Sequence, residues 1–340
     1  MSEFRQNMAT KEWVIVAPSR GKRPSDFAKL TIKRPPVPSF RADCPFCLGN
    51  EAQTPEPVYI KSVADKWQIR VVPNKYAALQ PDLAAARSYV GSFLSAKGYG
   101  IAEVVVETPE HNKTIATMQL SEISAILTAY RERQKEISKN EAINLIMIFR
   151  NYGPLAGTSL EHPHSQIIAT PMLPPHVRNP IEQAVMHFDK YGTCVYCDMI
   201  EEERRQKERI VLETENFLAF CPWAARTPFE ARIYPKRHAA SYVSINDKEI
   251  EDLAGVLRTM LGKLYNGLDN PDYNYILRSA PVGDEDVRYS HWYLMIIPKI
   301  GTPAGFEIGS GIYINTVAPE ESASYLRDIN PEVTGEATII

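Results

Sequence analysis

Two sets of cysteines and histidines stand out in this chain of 340 residues, because their types and spacing suit the binding of a metal ion. Each set begins with two cysteines three positions apart, which can place both sulfurs on one ion, and ends with two distant histidines. Two thiolates and two imidazoles suit Zn²⁺ and leave no position open for a substrate. The sequence therefore predicts two closed, structural zinc sites, at Cys44, Cys47, His111 and His162 and at Cys194, Cys197, His238 and His291.

The two sets form an internal repeat. Their histidines are 51 residues apart in the first set and 53 in the second, and the last one opens a similar run, HPHSQIIATP or HWYLMIIP. Where the first copy has His164, the second has Tyr293, so we interpret the second copy as a framework without the chemistry. The alternative, that the cysteines are small buried apolar residues and the histidines incidental, does not explain the matched spacing.

The segment that ends the first copy carries residues suited to phosphoryl chemistry. Side chains two apart share a face in an extended chain, so His162 can bind a metal while His164 faces a pocket. A neutral imidazole attacks phosphorus well and also leaves readily, which predicts His164 as a covalent nucleophile. Gln166 can donate its amide to a phosphoryl oxygen where charge develops. The alternative is that His164 lies on the surface or only supports a metal ligand.

Composition and charge narrow the class of protein. The net charge is -3 and the pI is near 6.2, which gives no general attraction to polyanions and argues against nucleic acid as a partner. No apolar run approaches the ~20 residues that cross a bilayer, and residues 1–10 lack the apolar core of a secretory signal. A membrane partner is therefore not expected, and the predicted location is the cytoplasm, where paired cysteines bind metals.

The elements that must position these residues follow from periodicity. Runs rich in Val, Ile, Phe and Tyr predict ten strands, at 13–17, 69–73, 102–107, 144–150, 166–170, 210–212, 217–220, 230–234, 274–278 and 292–297. A 3.6-residue period predicts helices over 121–139 with Ser121 as the N-cap, over 181–191, and after Asn246. The proline-rich stretch 171–180 is the predicted domain boundary. Strands followed by a helix, twice over, predict an α+β protein with mostly antiparallel sheets.

These motifs resemble those of the galactose-1-phosphate uridylyltransferase branch of the histidine triad superfamily, in which ADP-glucose phosphorylase is a close relative. The resemblance runs from Trp13 to about Pro319. It rests on SRGKRP at 19–24, CPFC at 44–47, RVVPN at 70–74, HPHSQ at 162–166, PFE at 228–230, PKRH at 235–238 and GFE at 305–307. It implies two tandem histidine-triad-like domains with packed helices, an N-terminal catalytic domain at 1–175 and a C-terminal domain at 176–340.

The resemblance also implies roles for individual residues. It makes His164 the covalent nucleophile and Gln166 a contact of the transferred phosphoryl group. The family's nucleotide contacts fall on Asn74, Asn151 and Ser159. Its phosphate contacts fall on Arg20 and Arg23. Its hexose contacts, supplied across a homodimer, fall on Gly305, Phe306 and Glu307. The implied cofactors are two Zn²⁺ ions, with iron as the alternative at the second site. Uridylyltransferases with iron there use a different ligand set, and the cysteine version here is more like the phosphorylase.

The implied activity is that of a UDP-glucose:hexose-1-phosphate uridylyltransferase of galactose and carbohydrate metabolism. A nucleotide sugar would load a nucleotidyl group on His164, and a sugar 1-phosphate such as galactose 1-phosphate would remove it in a ping-pong reaction. One alternative is an ADP-glucose phosphorylase, which transfers adenylate to inorganic phosphate. Two others are a nucleotide hydrolase and a zinc-stabilised nucleotide-binding protein without turnover, and the intact HPHSQ run argues against the last.

Overall fold

The computed structural model describes residues 1–20, 34 and 36–333, and it has fifteen strands and six α-helices in that part of the chain. The strands are β1 (Glu3–Gln6), β2 (Trp13–Val16), β3 (Tyr59–Val63), β4 (Lys66–Pro73), β5 (Arg87–Val90), β6 (Phe93–Ala96), β7 (Ile101–Val106), β8 (Leu145–Tyr152), β9 (His164–Thr170), β10 (Ile210–Glu213), β11 (Phe217–Phe220), β12 (Ala231–Pro235), β13 (Tyr273–Arg278), β14 (Tyr293–Pro298) and β15 (Tyr313–Asn315). The helices are α1 (Leu120–Ile137), α2 (Pro175–Tyr191), α3 (Val195–Gln206), α4 (Asp247–Gly267), α5 (Gly305–Ser310) and α6 (Pro319–Asp328).

Ten strands form one sheet in the order β10-β11-β12-β14-β13-β8-β9-β7-β4-β3, and every pair within it is antiparallel. All ten predicted strands are present, and the α+β prediction is confirmed. The strands that the sequence did not predict are β1, β3, β5, β6 and β15. Four of them lie outside the large sheet and the other, β3, is its edge, so little apolar alternation marks them.

The sheet repeats itself about its centre. The pair β8–β13 is central, and the strands then follow outward in matching order, so that β9 corresponds to β14, β7 to β12, β4 to β11 and β3 to β10. The first half of the chain supplies one side and the second half the other. The two histidine-triad-like units therefore share a continuous sheet, and their division at residues 175 and 176 stays a prediction.

One face of the sheet is covered by α1 and α4, which pack against each other. Their apolar stripes include Ile126 on α1 and Leu257 on α4, both of them buried. Together with inward side chains of both halves, such as Ile148 and Leu294, they form one apolar core. Burying a Leu or Ile side chain in such a core contributes about 1.5–3 kcal/mol, so the two halves stabilise each other. The opposite face of the sheet is left for the site.

Two predicted helix starts were wrong. Helix α1 begins at Leu120 with Gln119 as its N-cap, because the Glu122 carboxylate accepts the Gln119 N–H at 2.8 Å; the expected cap, Ser121, lies inside the first turn. Helix α2 begins at Pro175 rather than at residue 181, since proline at the first helical position loses no hydrogen bond. The predicted helix after Asn246 is confirmed, and Asn246 is its N-cap, as its Oδ1 accepts the Glu249 N–H at 3.0 Å.

The N-terminal strands cover part of the second half. Strands β1 and β2 pair with each other, and β2 pairs in parallel with β15, forming a separate three-stranded sheet. Arg5 of β1 reaches the Glu320 carboxylate of α6 at 2.9 Å, and Glu12, just before β2, forms an ion pair with Arg226. This small sheet therefore lies over the open face of the second half, whereas the first half has no such cover among the described residues.

Candidate active site and metal centres

The four residues of the first predicted metal set come together at the start of β9. A tight turn brings Cys44 and Cys47 side by side, with the Cys47 N–H donating to the Cys44 carbonyl at 3.3 Å. His111 follows β7 and His162 precedes β9. One sulfur or ring nitrogen from each lies within 4.8 Å of every other, and all four residues are buried.

The distances in this cluster fit a tetrahedral ion. The Nδ1 atoms of His111 and His162 are 3.2 Å apart, and the Cys47 Sγ lies 3.4 Å and 3.6 Å from them. Bond lengths of about 2.05 Å to nitrogen and about 2.3 Å to sulfur give tetrahedral edges of roughly 3.3 Å and 3.6 Å. The residues present therefore fit a closed Zn²⁺ site.

The orientation of the His162 ring supports the same conclusion. Its Nε2 lies 2.8 Å from the Thr108 carbonyl oxygen, so Nε2 carries the proton and donates it. Because burial lowers the pKa of His162 to about 4, the ring is neutral and its Nδ1 lone pair faces the two sulfurs. A histidine held in this way by a backbone carbonyl is the usual support of a metal ligand.

The second predicted metal set is only partly assembled. Cys194, at the N-cap of α3, lies near Cys197 and His238, and one ligand atom from each lies within 4.8 Å of the others. The His238 Nδ1 is 3.4 Å from the Cys197 Sγ, while its Nε2 lies 3.2 Å from the Val287 carbonyl. Unlike the first cluster, this one reaches the surface, because His238 is exposed.

The structure does not bring His291 into that cluster. Its ring centroid is 5.6 Å from that of His238, and its Nδ1 lies 2.8 Å from the Trp292 carbonyl, to which it donates. The Nε2 lone pair is buried and has no hydrogen-bond partner in the described part of the chain. His291 therefore offers Nε2 rather than Nδ1 as a ligand atom, a difference from His162 that the sequence repeat does not indicate.

His164, the first residue of β9, has a fixed tautomer. Its Nδ1 lies 2.8 Å from the His162 carbonyl oxygen, so Nδ1 carries the proton and donates it. Burial lowers the pKa of His164 below its ordinary value of 6.5, and the nearby Arg150 guanidinium lowers it further. The ring is therefore neutral at physiological pH, and the lone pair of Nε2 is the one available for attack.

A cavity of about 450 Å³ contains His164 in its wall. Its walls come from both halves of the chain. The residues that matter for the chemistry are Arg34, Arg150, Asn151, Gly153, His162, His164, Asp272 and Lys299. A volume of this size holds a small organic ligand, and such cavities are the usual place of an active site.

A buried polar network lies on the other face of β9, beneath His164. The hydroxyl of Tyr130 donates to Ser165 Oγ at 2.6 Å and lies 3.3 Å from the Glu107 carboxylate. Glu107 forms an ion pair with Arg150, and its backbone N–H donates to the Pro163 carbonyl at 3.1 Å. The residues on both sides of His164 are therefore tied to a rigid core.

The other residues predicted from the sequence are less closely grouped. Asn151 lines the cavity and accepts a hydrogen bond from Asn274 Nδ2 at 2.8 Å. Gln166 lies on β9 two residues from His164 and so on the same face, although it does not line this cavity. Asn74 follows the end of β4, with its Oδ1 accepting the Tyr76 N–H at 2.9 Å, and Ser159 is exposed.

The predicted phosphate and hexose contacts do not join the cavity. Arg20 is exposed at the end of a short 3₁₀ turn, and Arg23 lies outside the described residues. Gly305, Phe306 and Glu307 begin helix α5 on the surface, where the Phe306 ring is 52% exposed. None of these described residues lines the wall that contains His164.

The sequence did not predict several residues of the cavity wall, among them Arg34, Asp272 and Lys299. Arg34 donates to Asp272 Oδ1 at 2.5 Å, and Asp272 Oδ2 accepts the Leu155 N–H, also at 2.5 Å. The Lys299 ammonium is half-buried and has no carboxylate partner among the residues that the structure describes. The glycine at position 153 was one signal in the sequence. Its φ is 87°, and a Cβ at this position would collide with the Asp272 side chain.

Comparisons with known proteins agree with this geometry. A family model described as galactose-1-phosphate uridyl transferase, N-terminal domain, matches residues 1–174, and a second, for a domain of unknown function, matches residues 107–329. ADP-glucose phosphorylase of Arabidopsis thaliana is 36% identical over 334 residues, which cover 96% of this chain and 93% of the relative. Galactose-1-phosphate uridylyltransferase of Thermotoga maritima is 33% identical over 343 residues, which cover 98% and 100%.

A solved structure is similar over nearly the whole chain. The Arabidopsis thaliana ADP-glucose phosphorylase with bound ADP-glucose matches with a TM-score of 0.83 at 33% sequence identity, covering 97% of this chain and 99% of that one. The fold, the site and these relatives define a nucleotidyltransferase enzyme. More narrowly, the chain belongs to the galactose-1-phosphate uridylyltransferase family. None of its described helices is both long and apolar enough to span a bilayer.

Proposed function

We propose that this enzyme transfers a nucleotidyl group from a nucleotide sugar to a phosphate-bearing acceptor through a covalent intermediate on His164. One observation carries the proposal. His164 is neutral, its Nδ1–H is held by the His162 carbonyl at 2.8 Å, and it lies in the wall of a cavity of about 450 Å³. A fixed tautomer with one free nitrogen is what attack on phosphorus requires.

The reaction has two steps in which bonds and electrons balance. The Nε2 lone pair of His164 attacks the α-phosphorus, a phosphorus–nitrogen bond forms, and the bond to the bridging oxygen breaks, so that the sugar 1-phosphate leaves with that electron pair. An oxygen of the acceptor phosphate then attacks the same phosphorus. The phosphorus–nitrogen bond breaks and its electrons return to Nε2, which restores the neutral ring.

Positively charged and amide groups would stabilise the charge that develops. Gln166, on the same face of β9 as His164, would donate its amide to a non-bridging oxygen in the transition state. Asn151 lies beside the nucleophile and would orient the nucleotide. Lys299, which lines the cavity without a carboxylate partner in the described chain, would bind the phosphate of the acceptor.

The metal ions would have a structural role. Two Zn²⁺ ions are proposed, one in the closed first set and one in the second, where iron is the alternative. Bound by four protein ligands, zinc at the first site would supply rigidity rather than acid catalysis. It would fix His162, whose carbonyl in turn orients the ring of His164.

The proposed donor is UDP-glucose and the proposed acceptor is a hexose 1-phosphate such as galactose 1-phosphate. The Thermotoga maritima uridylyltransferase, matched over its whole length, supports this assignment. A second candidate is ADP-glucose phosphorylase activity, with inorganic phosphate as the acceptor. Two observations favour it, the paired cysteines of the second metal set and the 36% identity with the Arabidopsis thaliana enzyme.

Two further assignments belong to the proposal. The start of α5 presents Phe306 and Ile308 to solvent at 52% and 76% exposure, away from its own cavity. This placement supports a homodimer in which Gly305, Phe306 and Glu307 reach the substrate of the second copy. The proposed location is the cytoplasm, where the thiols of both cysteine pairs stay reduced.

The test is the mass of the intact protein after incubation with UDP-glucose or with ADP-glucose. A gain of one uridylyl group with UDP-glucose alone supports the first candidate, and a gain of one adenylyl group with ADP-glucose alone supports the second. The matched control is Tyr293→Phe in the second half, which should label like the natural protein. Absence of label from both donors would contradict the proposal.

A further inference from the structure

The second half contains its own small cavity on the same face of the sheet as His164. Its volume is about 80 Å³, and it is lined by Arg226, Arg232, Arg278 and Tyr293 together with the first turn of α2 and residues just before β2. The cavity of the first half has about 450 Å³. This smaller cavity is therefore too narrow for a nucleotide but has room for a compact ion.

Strand register identifies this cavity as the counterpart of the His164 site. Arg278 of β13 lies opposite Tyr293 of β14. In the first half, Phe149 of β8 lies opposite Gln166 of β9. The same register, followed two residues further along each strand, places Asn151 opposite His164. Because β13 corresponds to β8 and β14 to β9, Tyr293 takes the place of His164 and Arg278 takes the place of Asn151.

The same correspondence adds another arginine. Arg232 of β12 lies opposite Met295, and in the first half the matching position is Val104 of β7, opposite Gln166. The second half thus replaces an apolar residue, an amide and a nucleophile by two guanidinium groups and a phenol. These replacements remove the attacking nitrogen and add positive charge where the first half would hold a phosphoryl group.

The charges around the small cavity do not cancel. Arg226 forms an ion pair with Glu12, and Arg232 donates to Glu230 Oε1 at 3.0 Å. Arg278 lines the cavity and is half-buried, and its guanidinium group makes neither a hydrogen bond nor an ion pair within the described ranges of the chain. One guanidinium group is therefore left without a counter-charge beside two that are already neutralised.

Other groups at the cavity also favour a negative charge. The first turn of α2, with His176 and Val177, lies against it, and the N-terminal end of a 17-residue helix carries partial positive charge. The hydroxyl groups of Ser290 and Tyr293 also line the wall and can donate hydrogen bonds. Among the described residues, Glu12 is the one that brings a carboxylate to the wall, and Arg226 already neutralises it.

We propose that this cavity of the second half binds a phosphate ion, or the phosphoryl group of a phosphate monoester, with Arg278 as the main contact. No bond is made or broken, since Tyr293 offers no imidazole nitrogen there. The planar guanidinium fork suits two oxygens of a tetrahedral phosphate. This site does not depend on nucleotidyl transfer by His164 and can exist whether or not that reaction occurs.

The experiment uses the full chain with the change His164→Gly, which prevents turnover, saturated with a nucleotide sugar so that the large cavity is filled. Inorganic phosphate is titrated by calorimetry into this protein and into the same protein carrying Arg278→Gln. The matched control is Arg288→Gln, an exposed arginine of the same half that does not line the cavity. Glucose 1-phosphate as a second titrant distinguishes the free ion from a monoester.

We expect saturable phosphate binding that Arg278→Gln weakens about 10- to 100-fold, the effect of losing a charge-assisted hydrogen bond, and that Arg288→Gln leaves unchanged. Thermal unfolding of each variant checks that the fold is retained. Weaker binding of glucose 1-phosphate assigns the free ion, and equal or tighter binding assigns the monoester. No phosphate binding, or equal affinity after Arg278→Gln, would overturn the proposal. Failure of nucleotide sugars to label His164 would instead concern the proposed function alone.

Discussion

The two halves of the sheet place different residues at corresponding positions, His164 on β9 and Tyr293 on β14. Around His164 the sheet face is open, and the cavity has about 450 Å³. Around Tyr293 the N-terminal strands and α2 cover the same face and leave about 80 Å³. Repeating a fold therefore repeats the framework, whereas the chemistry depends on a few side chains and on what covers them.

The two metal sets also differ between the halves, in how completely their ligand atoms are assembled. In the first, all four ligand atoms are assembled and buried close to His164. In the second, three are assembled, His238 is exposed, and the fourth predicted ligand, His291, turns its Nδ1 to the Trp292 carbonyl. The half that contains His164 is thus the one in which the four metal ligands are assembled, as expected if the first ion orients the proposed nucleophile.

The largest expected effect comes from exchanging the nucleophile. His164→Gly should lower turnover by on the order of 10⁴-fold or more, because no other group can form the phosphorus–nitrogen bond. Tyr293→Phe should change turnover by less than about twofold, since no side chain of the second half forms a bond to phosphorus in the proposed reaction. Steady-state rates with UDP-glucose and galactose 1-phosphate, and with ADP-glucose and phosphate, provide the measurement. A large loss in Tyr293→Phe would break the contrast between the halves.

The metal sets should differ in their effect on stability. Cys47→Ser should lower the free energy of unfolding by several kcal/mol, part of the roughly 10–16 kcal/mol with which structural zinc binds. Cys197→Ser should have a smaller effect, because its cluster is incomplete and reaches the surface. Denaturant unfolding with the metal content of each variant tests this order. Equal losses would show that the second set is as closed in solution as the first.

Gln166 and its counterpart Met295 provide a third contrast. Gln166→Ala should lower the rate of nucleotidylation by about 10²–10³-fold, as expected on losing one donor to a transition-state oxygen. Met295→Ala should change it by much less, because its site has no nucleophile. Single-turnover labelling by the nucleotide sugar measures the step directly. An unchanged rate in Gln166→Ala would remove this residue from the mechanism.

Lys299 tests how the second half contributes to the first. Lys299→Met should raise the KM for the acceptor about 10- to 100-fold while leaving the labelling of His164 by the donor unchanged, because its ammonium would meet only the acceptor phosphate. Lys299→Arg should retain most of the affinity. The two half-reactions are measured separately. A slower labelling step in Lys299→Met would place this residue at the donor instead.

The smallest expected effect is the pH dependence of labelling. Burial lowers the pKa of His164 below 6.5, and the neutral ring is the attacking form. More than half of the rings should therefore remain neutral at pH 6.5, and the midpoint of the decline should lie below that value. A pH profile of single-turnover labelling provides the measurement. A midpoint above pH 6.5 would mean that the pKa is raised rather than lowered.

The sequence predicted the first site well for a physical reason. Cysteine spacing and the HPH run fix local geometry, and the pairing of β7 with β9 brings His111, which follows β7, close to His162, which precedes β9. Asp272 and Lys299 were not predicted because they are far from Asn151 in the sequence, by about 120 and about 150 residues. They come close to it only when β8 pairs with β13. The exchange of Asn151 for Arg278 became visible only through strand register.

Errors in the prediction also have local causes. The predicted N-cap Ser121 was wrong because the Glu122 side chain accepts the backbone N–H of Gln119, which makes Gln119 the N-cap. Helix α3 was missed, although Cys194 is its N-cap, because its buried apolar residues Val195, Tyr196, Met199 and Ile200 all lie in its first half and a charged run follows them. The placement of His291 depends on a single hydrogen bond of its ring, which spacing along the chain does not record.

The most direct test of the central claim is to locate the nucleotidyl group after labelling. Protein incubated with the donor sugar is digested at alkaline pH, where phosphorus–nitrogen bonds persist, and its peptides are sequenced by mass spectrometry. We expect one nucleotidyl group on the imidazole of His164 that disappears when the acceptor phosphate is added. A stable label on any other residue, or turnover with no labelled intermediate, would contradict it.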